Sequence, residues 1–191
     1  MASQSAPFVT PERYLELERA AETKSEYYRG EIFAIADASL AHVAIVTNLI
    51  AELRDQLRKR DCTAHSSNAR LAVKSDGLYT CPDVMVICGK PAFIYAHLDT
   101  VINPIVIIEV LSKSTSSYDR GQKFESYRAI PSLMEYLTVA QVRPHVEHWT
   151  RQPENSWLLR EVSAAGSISL NCISVELHLN DIYEKVQFAA K

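Results

Sequence analysis

Glycine is scarce in this chain, five in 191 residues beside eight prolines. That is too little of either for a collagen-like protein or a linker-dominated one, and 47% hydrophobic residues argue for a packed core over disorder. No run approaches the ~20 apolar residues that a membrane span needs. The opening MASQSAPFVTPERY has neither the basic start nor the apolar centre of a secretory signal. An excess of basic charge is also missing: 20 Lys and Arg stand against 23 Asp and Glu, a net charge of −3. This disfavours a protein that coats nucleic acid through an overall positive field, though it leaves room for a local basic groove. The four cysteines, Cys62, Cys81, Cys88 and Cys172, show no C-x-x-C pair and no regular spacing. Cys81 and Cys88 sit in strand-like apolar sequence, where a thiol behaves as a small buried hydrophobe. Unpaired cysteines, a cytoplasmic location and no membrane contact are therefore expected.

The length is that of one domain, since domains run to ~100–200 residues. A single unit over 1–191 is expected, with residues 1–7 a disordered lead and the core at about 25–150. A chain of this size buries roughly 70% of its unfolded surface, enough for a core without metal or disulfide staples. No internal repeat or low-complexity tract divides it.

Thr10 before Pro11 is a helix start, a hydroxyl N-cap followed by proline at the first helical position, and it predicts a helix at about 11–22. Two short β-prone runs meet at Arg29-Gly30, where glycine supplies the positive φ of a tight hairpin. A long amphipathic helix is predicted from Ser39 to Arg60, with Leu40, Val43, Val46, Leu49, Ile50, Leu53 and Leu57 on its buried face. Residues 69–74, 82–88 and 104–111 then read as strands. The run PIVII has no polar alternation, so both its faces should be covered, and it is a central strand. A helix at 118–130, a strand at 133–140, short strands at 145–150, 156–162 and 167–171, and a last helix in LNDIYEKV complete the order. Helix, three strands, helix, strand, with flanking hairpins, is a mixed α/β arrangement of the α+β kind, a sheet between two helices.

Two carboxylates stand where the pattern is apolar. Glu109 lies inside the most hydrophobic run, and Asp83 opens the strand before it. A carboxylate in a central strand is costly unless paired or bound to a cation, and two aimed at one spot repel unless a divalent ion neutralises them. Oxygen ligands of this kind suit Mg²⁺ or Mn²⁺. Ordinary turn chemistry for an Asp after Pro, and a buried arginine beside Glu109, are the alternatives.

The ordered set EYYRGEIFAIADAS, a histidine three residues later (His42), CPDVMVIC, IIEVLSKST and YDRGQKFESYRAIPSLMEYL resembles the PD-(D/E)XK, restriction endonuclease-like superfamily. Within it the chain is similar to a large family of uncharacterised restriction endonuclease homologues. The resemblance covers about residues 10–150, and more weakly LHLNDIYEKV. It implies a restriction endonuclease-like core of helix–strand–strand–strand–helix–strand order. It also implies that Asp83 and Glu109 are the two motif acids, that the Val110 carbonyl is a third metal ligand, and that Glu26 is an upstream acid facing the metal. The motif lysine should follow the second acid by two residues, on the same strand face, but Leu111 stands there. Lys123 is the substitute on the following helix, with a surface pair to Asp119 as its plainer role. Lys113 is the second candidate.

The implied function is a metal-dependent endonuclease hydrolysing phosphodiester bonds, acting on DNA as a homodimer. The competing readings are a degenerate nuclease fold that binds nucleic acid or protein without cleaving, and a metal-free domain in which Arg70 or Arg128 pairs with Glu109. His42 falls beside the site by family match, or makes only a local hydrogen bond in its helix. His145 and His148 face opposite sides of a strand and make a poor metal pair. The serines after Glu109 have no histidine to activate them. Arg54, Arg58, Lys59 and Arg60 complement a helix C-terminus at least as well as they would contact phosphate.

Overall fold

The computed structural model describes residues 8–35, 37–112 and 115–188. The lead at 1–7 and Lys113 lie outside the described residues. Helix α1 (Pro11–Ala20) starts as its cap predicts, with the Arg13 N–H donating to the Thr10 hydroxyl. Strands β1 (Ser25–Tyr28) and β2 (Glu31–Ala34) form the hairpin, and its turn places Arg29 and Gly30 at φ of 47° and 101°. Helix α2 (Leu40–Leu57) is capped by Ser39. Six strands follow: β3 (Cys62–Ser66), β4 (Arg70–Val73), β5 (Leu78–Thr80), β6 (Val84–Cys88), β7 (Thr100–Val101) and β8 (Val106–Leu111). The second helical segment is compound: α3 (Ser116–Tyr118), a π-turn (Asp119–Lys123) and α4 (Phe124–Arg128). Then come β9 (Glu135–Ala140), β10 (His145–Arg151), β11 (Trp157–Ser163), β12 (Ser167–Leu170), β13 (Val175–His178) and α5 (Leu179–Ile182).

Six strands form one sheet in the order β11-β10-β9-β8-β6-β3, in which only β8 and β9 run parallel. Five others form a second sheet, β2-β1-β5-β4-β7, and β12 pairs with β13. Strand β8 is central and buried along its whole length, as its unbroken apolar run requires. The core order α2–β3–β6–β8–α4–β9 has the expected form, but its first strand is β3. The 69–74 run belongs to the other sheet, as β4. Strand β3 sits at a sheet edge and is mostly half-buried, so CTAHS needs no apolar pattern.

Alternation along β6, β8 and β9 divides the core. Val84, Val86, Ile108, Val110, Leu137 and Val139 pack with Ile45, Leu49, Leu53 and Leu57 of α2. Met85, Ile107 and Tyr136 turn the other way, toward Phe124 and Tyr127 of α4. Phe124 stacks on Tyr136 with ring centroids 4.9 Å apart. Each large aliphatic side chain buried in these layers contributes ~1.5–3 kcal/mol.

Two further expectations fail. The inner face of α2 holds Leu49, Leu53 and Leu57 as predicted, with Val46 and Ile50 packed against it, but its start differs: Leu40 is 85% and Val43 47% exposed, while Ile45 is fully buried. The true stripe, 45-49-53-57, steps by four residues, and carried back one turn it reaches His42. Cys62 and Cys88, expected to stay unpaired, are joined by a disulfide. They are direct partners in the β3–β6 register, so the pleat sets their Cβ atoms side by side, a closeness that a sequence separation of 26 conceals. The cysteines therefore no longer argue for a reducing compartment. Cys81 and Cys172 are unbonded, and no helix among the described residues is long and apolar enough to cross a membrane.

Candidate functional site

Glu109 alternates with Ile108 and Val110, which face α2, so its own side chain points toward the compound helix. Asp83 stands one residue before β6, at the end of the strand that pairs with β8. The two acids meet: the Asp83 N–H donates to Oε2 of Glu109 at 3.3 Å, and the Val110 N–H donates to Oδ2 of Asp83 at 2.8 Å. Asp83 and Glu109 are thus brought together, and the Val110 contact with Asp83 is made by its N–H, whereas the resemblance names its carbonyl as the ligand.

Lys123 reaches the same spot from the π-turn. Its Nζ lies 3.1 Å from Oε1 of Glu109, 2.9 Å from Oε1 of Glu26 and 3.6 Å from Oδ1 of Asp119. Glu26 comes from β1 in the other sheet and accepts from the Thr80 and Tyr118 hydroxyls. One ammonium therefore links both sheets to the helix. The i→i+5 winding of a π-turn widens the helix locally and recurs at functional sites. Here the Asp119 carbonyl accepts from the Tyr136 hydroxyl at 2.9 Å. Lys123 is not a surface partner of Asp119, because both are buried.

Burial drives the Glu109 carboxyl up to about 8, with Asp83 and Asp119 adding to the effect, while Lys123 and a 2.6 Å hydrogen bond from Tyr127 work against it. Burial alone would lower the Lys123 ammonium, but Glu109, Glu26 and Asp119 outweigh it and hold the pKa well above its ordinary value. Burial likewise raises Asp119 against the opposing charge of Lys123.

His42 completes the ring. Its Nε2 lies 3.0 Å from Oδ1 of Asp83, so it makes a contact across the fold and not only the helix-local bond that was the plainer alternative. Burial disfavours its charged form, but the Asp83 hydrogen bond and charge, with help from the Val110 backbone, raise its pKa. The arginines considered for Glu109 are engaged elsewhere: Arg70 with Glu18 and Asp99, at 3.5 and 3.8 Å, and Arg128 over the Phe124 ring. Tyr127 and Tyr118 were not anticipated as members of the cluster. The only signal in the sequence was the four-residue step 119-123-127 on one helical face.

His145 and His148 turn to different partners, as alternation demands. His148 Nε2 is 2.6 Å from Glu135. His145 lies with Glu147 and Glu161 in a cluster whose potential ligand atoms are all within 4.8 Å of one another. Both oxygens of Glu147 already accept from the Arg120 guanidinium, at 2.9 and 2.7 Å.

A mixed sheet whose neighbouring strands bring two acids together, with a lysine from the next helix, is the restriction endonuclease-like class of fold. A crystal structure from Anabaena variabilis ATCC 29413, described as a "putative nuclease", has this fold, with a TM-score of 0.76 and 17% identity over 94% of this chain and 99% of that one. The model of the family described as "putative restriction endonuclease" (Uma2) matches residues 11–180. The chain belongs to that family, and at family level is a nuclease. Two proteins of Synechocystis sp., both named as uncharacterised, are 38% identical over 162 residues and 32% identical over 188. The first match covers 85% of this chain and 92% of the relative, and the second 97% and 98%.

Proposed function

We propose that the protein is a metal-dependent endonuclease acting on DNA, with Asp83, Glu109 and the Val110 carbonyl holding Mg²⁺ or Mn²⁺. The convergence of Asp83 on Glu109 carries this reading. The donor set fits the ion: four carboxylates, of Glu26, Asp83, Glu109 and Asp119, face one ammonium and one imidazole. At full ionisation two negative charges remain uncompensated. Either a proton on Glu109 together with water must bear them, or one divalent cation does.

When bound, such an ion polarises a phosphodiester and lowers the pKa of the attacking water. Lys123 orients that water and offsets charge growing on the phosphate, while Glu26 and Asp119 hold its ammonium in place. No covalent nucleophile is involved. Because cutting both strands uses two sites, the proposal includes a symmetric homodimer.

Calorimetric titration with Mn²⁺ or Mg²⁺, followed by nicking of supercoiled DNA, tests the reading. Binding and cleavage should both vanish in Asp83→Ala and Glu109→Ala, and Lys123→Ala should bind metal but cleave slowly. Cleavage retained by Asp83→Ala would refute the assignment. A second reading draws on burial: Glu109 is 3% and Lys123 6% exposed, and Leu111 occupies the motif lysine position. Metal bound with no nicking at any metal concentration would favour this non-cleaving, nucleic-acid- or protein-binding form.

A further inference from the structure

We infer that His42 is itself a ligand of the proposed metal, through Nε2, and that this nitrogen biases the site toward Mn²⁺ over Mg²⁺. The inference rests on the metal reading above and adds a donor to it.

His42 lies in the first turn of α2, three residues before the run of buried leucine and isoleucine begins at Ile45. Three backward steps of four from Leu57 arrive at Ile45, and one further step of three arrives at His42. The same register that buries Ile45 against Val84 and Ile108 therefore aims the imidazole at the open end of β6. The aim is reinforced at the helix start. The Ser39 hydroxyl accepts from the His42 N–H at 3.1 Å and donates to Gln141 Oε1 at 2.6 Å, tying the turn to the loop after β9.

The ring then addresses one of the three groups proposed to hold the ion: Nε2 is 3.0 Å from Oδ1 of Asp83. A span of 3.0 Å is a hydrogen bond, and it is equally the separation of adjacent ligands on an octahedral ion with bonds of about 2.1 Å. Asp83 keeps its place by a different atom, since Oδ2 is held by the Val110 N–H. Oδ1 and Nε2 are thus left to face the same ion.

The donor chemistry sets the consequence. Carboxylates and carbonyls serve magnesium and manganese alike, but an imidazole nitrogen favours first-row transition ions and adds little for magnesium. Removing His42 should cost Mn²⁺ more than Mg²⁺. The loss for Mn²⁺ should be at least ~10-fold, because even groups that only support a ligand cost ~10–100-fold.

The test is pulsed electron paramagnetic resonance of the full chain loaded with Mn²⁺, alongside calorimetry with Mn²⁺ and Mg²⁺ for wild type and His42→Gln. Wild type requires no altered residue, so failure of the variant to fold does not void the experiment. Imidazole nitrogen coupling in wild type, lost in His42→Gln together with the Mn²⁺ preference, is the expected result. Bound manganese without imidazole coupling, or coupling that survives in His42→Gln, overturns this inference and leaves the metal site standing. No manganese bound at all overturns both.

Discussion

Lys123 and Glu109 form a buried ion pair, Nζ to Oε1 3.1 Å, in which the lysine comes from the π-turn after the strand that carries the acid. Its lysine is the one proposed to stand in for the strand-borne lysine that Leu111 denies to the site. Its place at the meeting of two sheets and a helix makes it the structural centre of the cluster as well as part of the proposed chemistry.

Removing one member of a buried pair leaves an uncompensated charge, at a cost of ~3–5 kcal/mol. Lys123→Met should lower stability by about that amount in urea unfolding, because three carboxylates lose their shared cation. Adding Glu109→Gln to it should recover part of the loss, since a neutral amide needs no counter-charge. If the two substitutions prove additive, the coupling drawn here does not exist.

Tyr127 is fully buried and donates to Glu109 at 2.6 Å. Tyr127→Phe keeps the ring packing and removes only that bond, leaving a buried acceptor short of a donor, at ~1–3 kcal/mol. Chemical denaturation of the two proteins at neutral pH reads this difference directly.

The corrected face of α2 makes a sharp contrast. Leu49→Ala removes a fully buried side chain and should cost ~2–5 kcal/mol. Leu40→Ala, on the face that periodicity alone would have buried, should stay within ~0.5 kcal/mol of wild type. Equal losses at the two positions would contradict the helix orientation.

Acid sensitivity should report on Glu135. Burial raises its pKa, but the His148 hydrogen bond and the N–H and thiol of Cys172 outweigh this and leave it lowered. A carboxyl depressed in the folded state stabilises above its unfolded pKa of ~4.3, and that contribution is lost as the pH falls through the folded value. Glu135→Gln should therefore be less stable than wild type at neutral pH and converge with it in acid. Urea midpoints recorded as a function of pH show whether the curves meet.

The Cys62–Cys88 bond predicts two free thiols in denatured, unreduced protein and four after reduction, since the chain has four cysteines. Closing a loop of this length contributes ~2–4 kcal/mol. Reductant should lower the unfolding midpoint of wild type and leave that of a Cys62→Ser, Cys88→Ser protein unchanged.

Legibility followed the scale of the interactions. Thr10-Pro11, Arg29-Gly30 and the PIVII run announce their structures because a cap, a positive-φ turn and a doubly covered strand are settled within a few residues. Strand β3 is hidden in the sequence because an edge strand needs no apolar pattern, and the start of the α2 face, Leu40 and Val43, departs from expectation because several stripes on one helix satisfy the same periodicity. The disulfide, with only strand register to create it, left no trace in cysteine spacing.

By itself the sequence determined the class of fold and the presence of acids too costly to leave unpaired, since both follow from patterns of burial and the expense of charge in an apolar strand. Only the tertiary structure decided which cation answers them. Lys123, Glu26 and His42 lie on three separate elements, and their approach to Glu109 and Asp83 depends on sheet pairing and helix register, long-range packing relations that no local stretch of residues encodes.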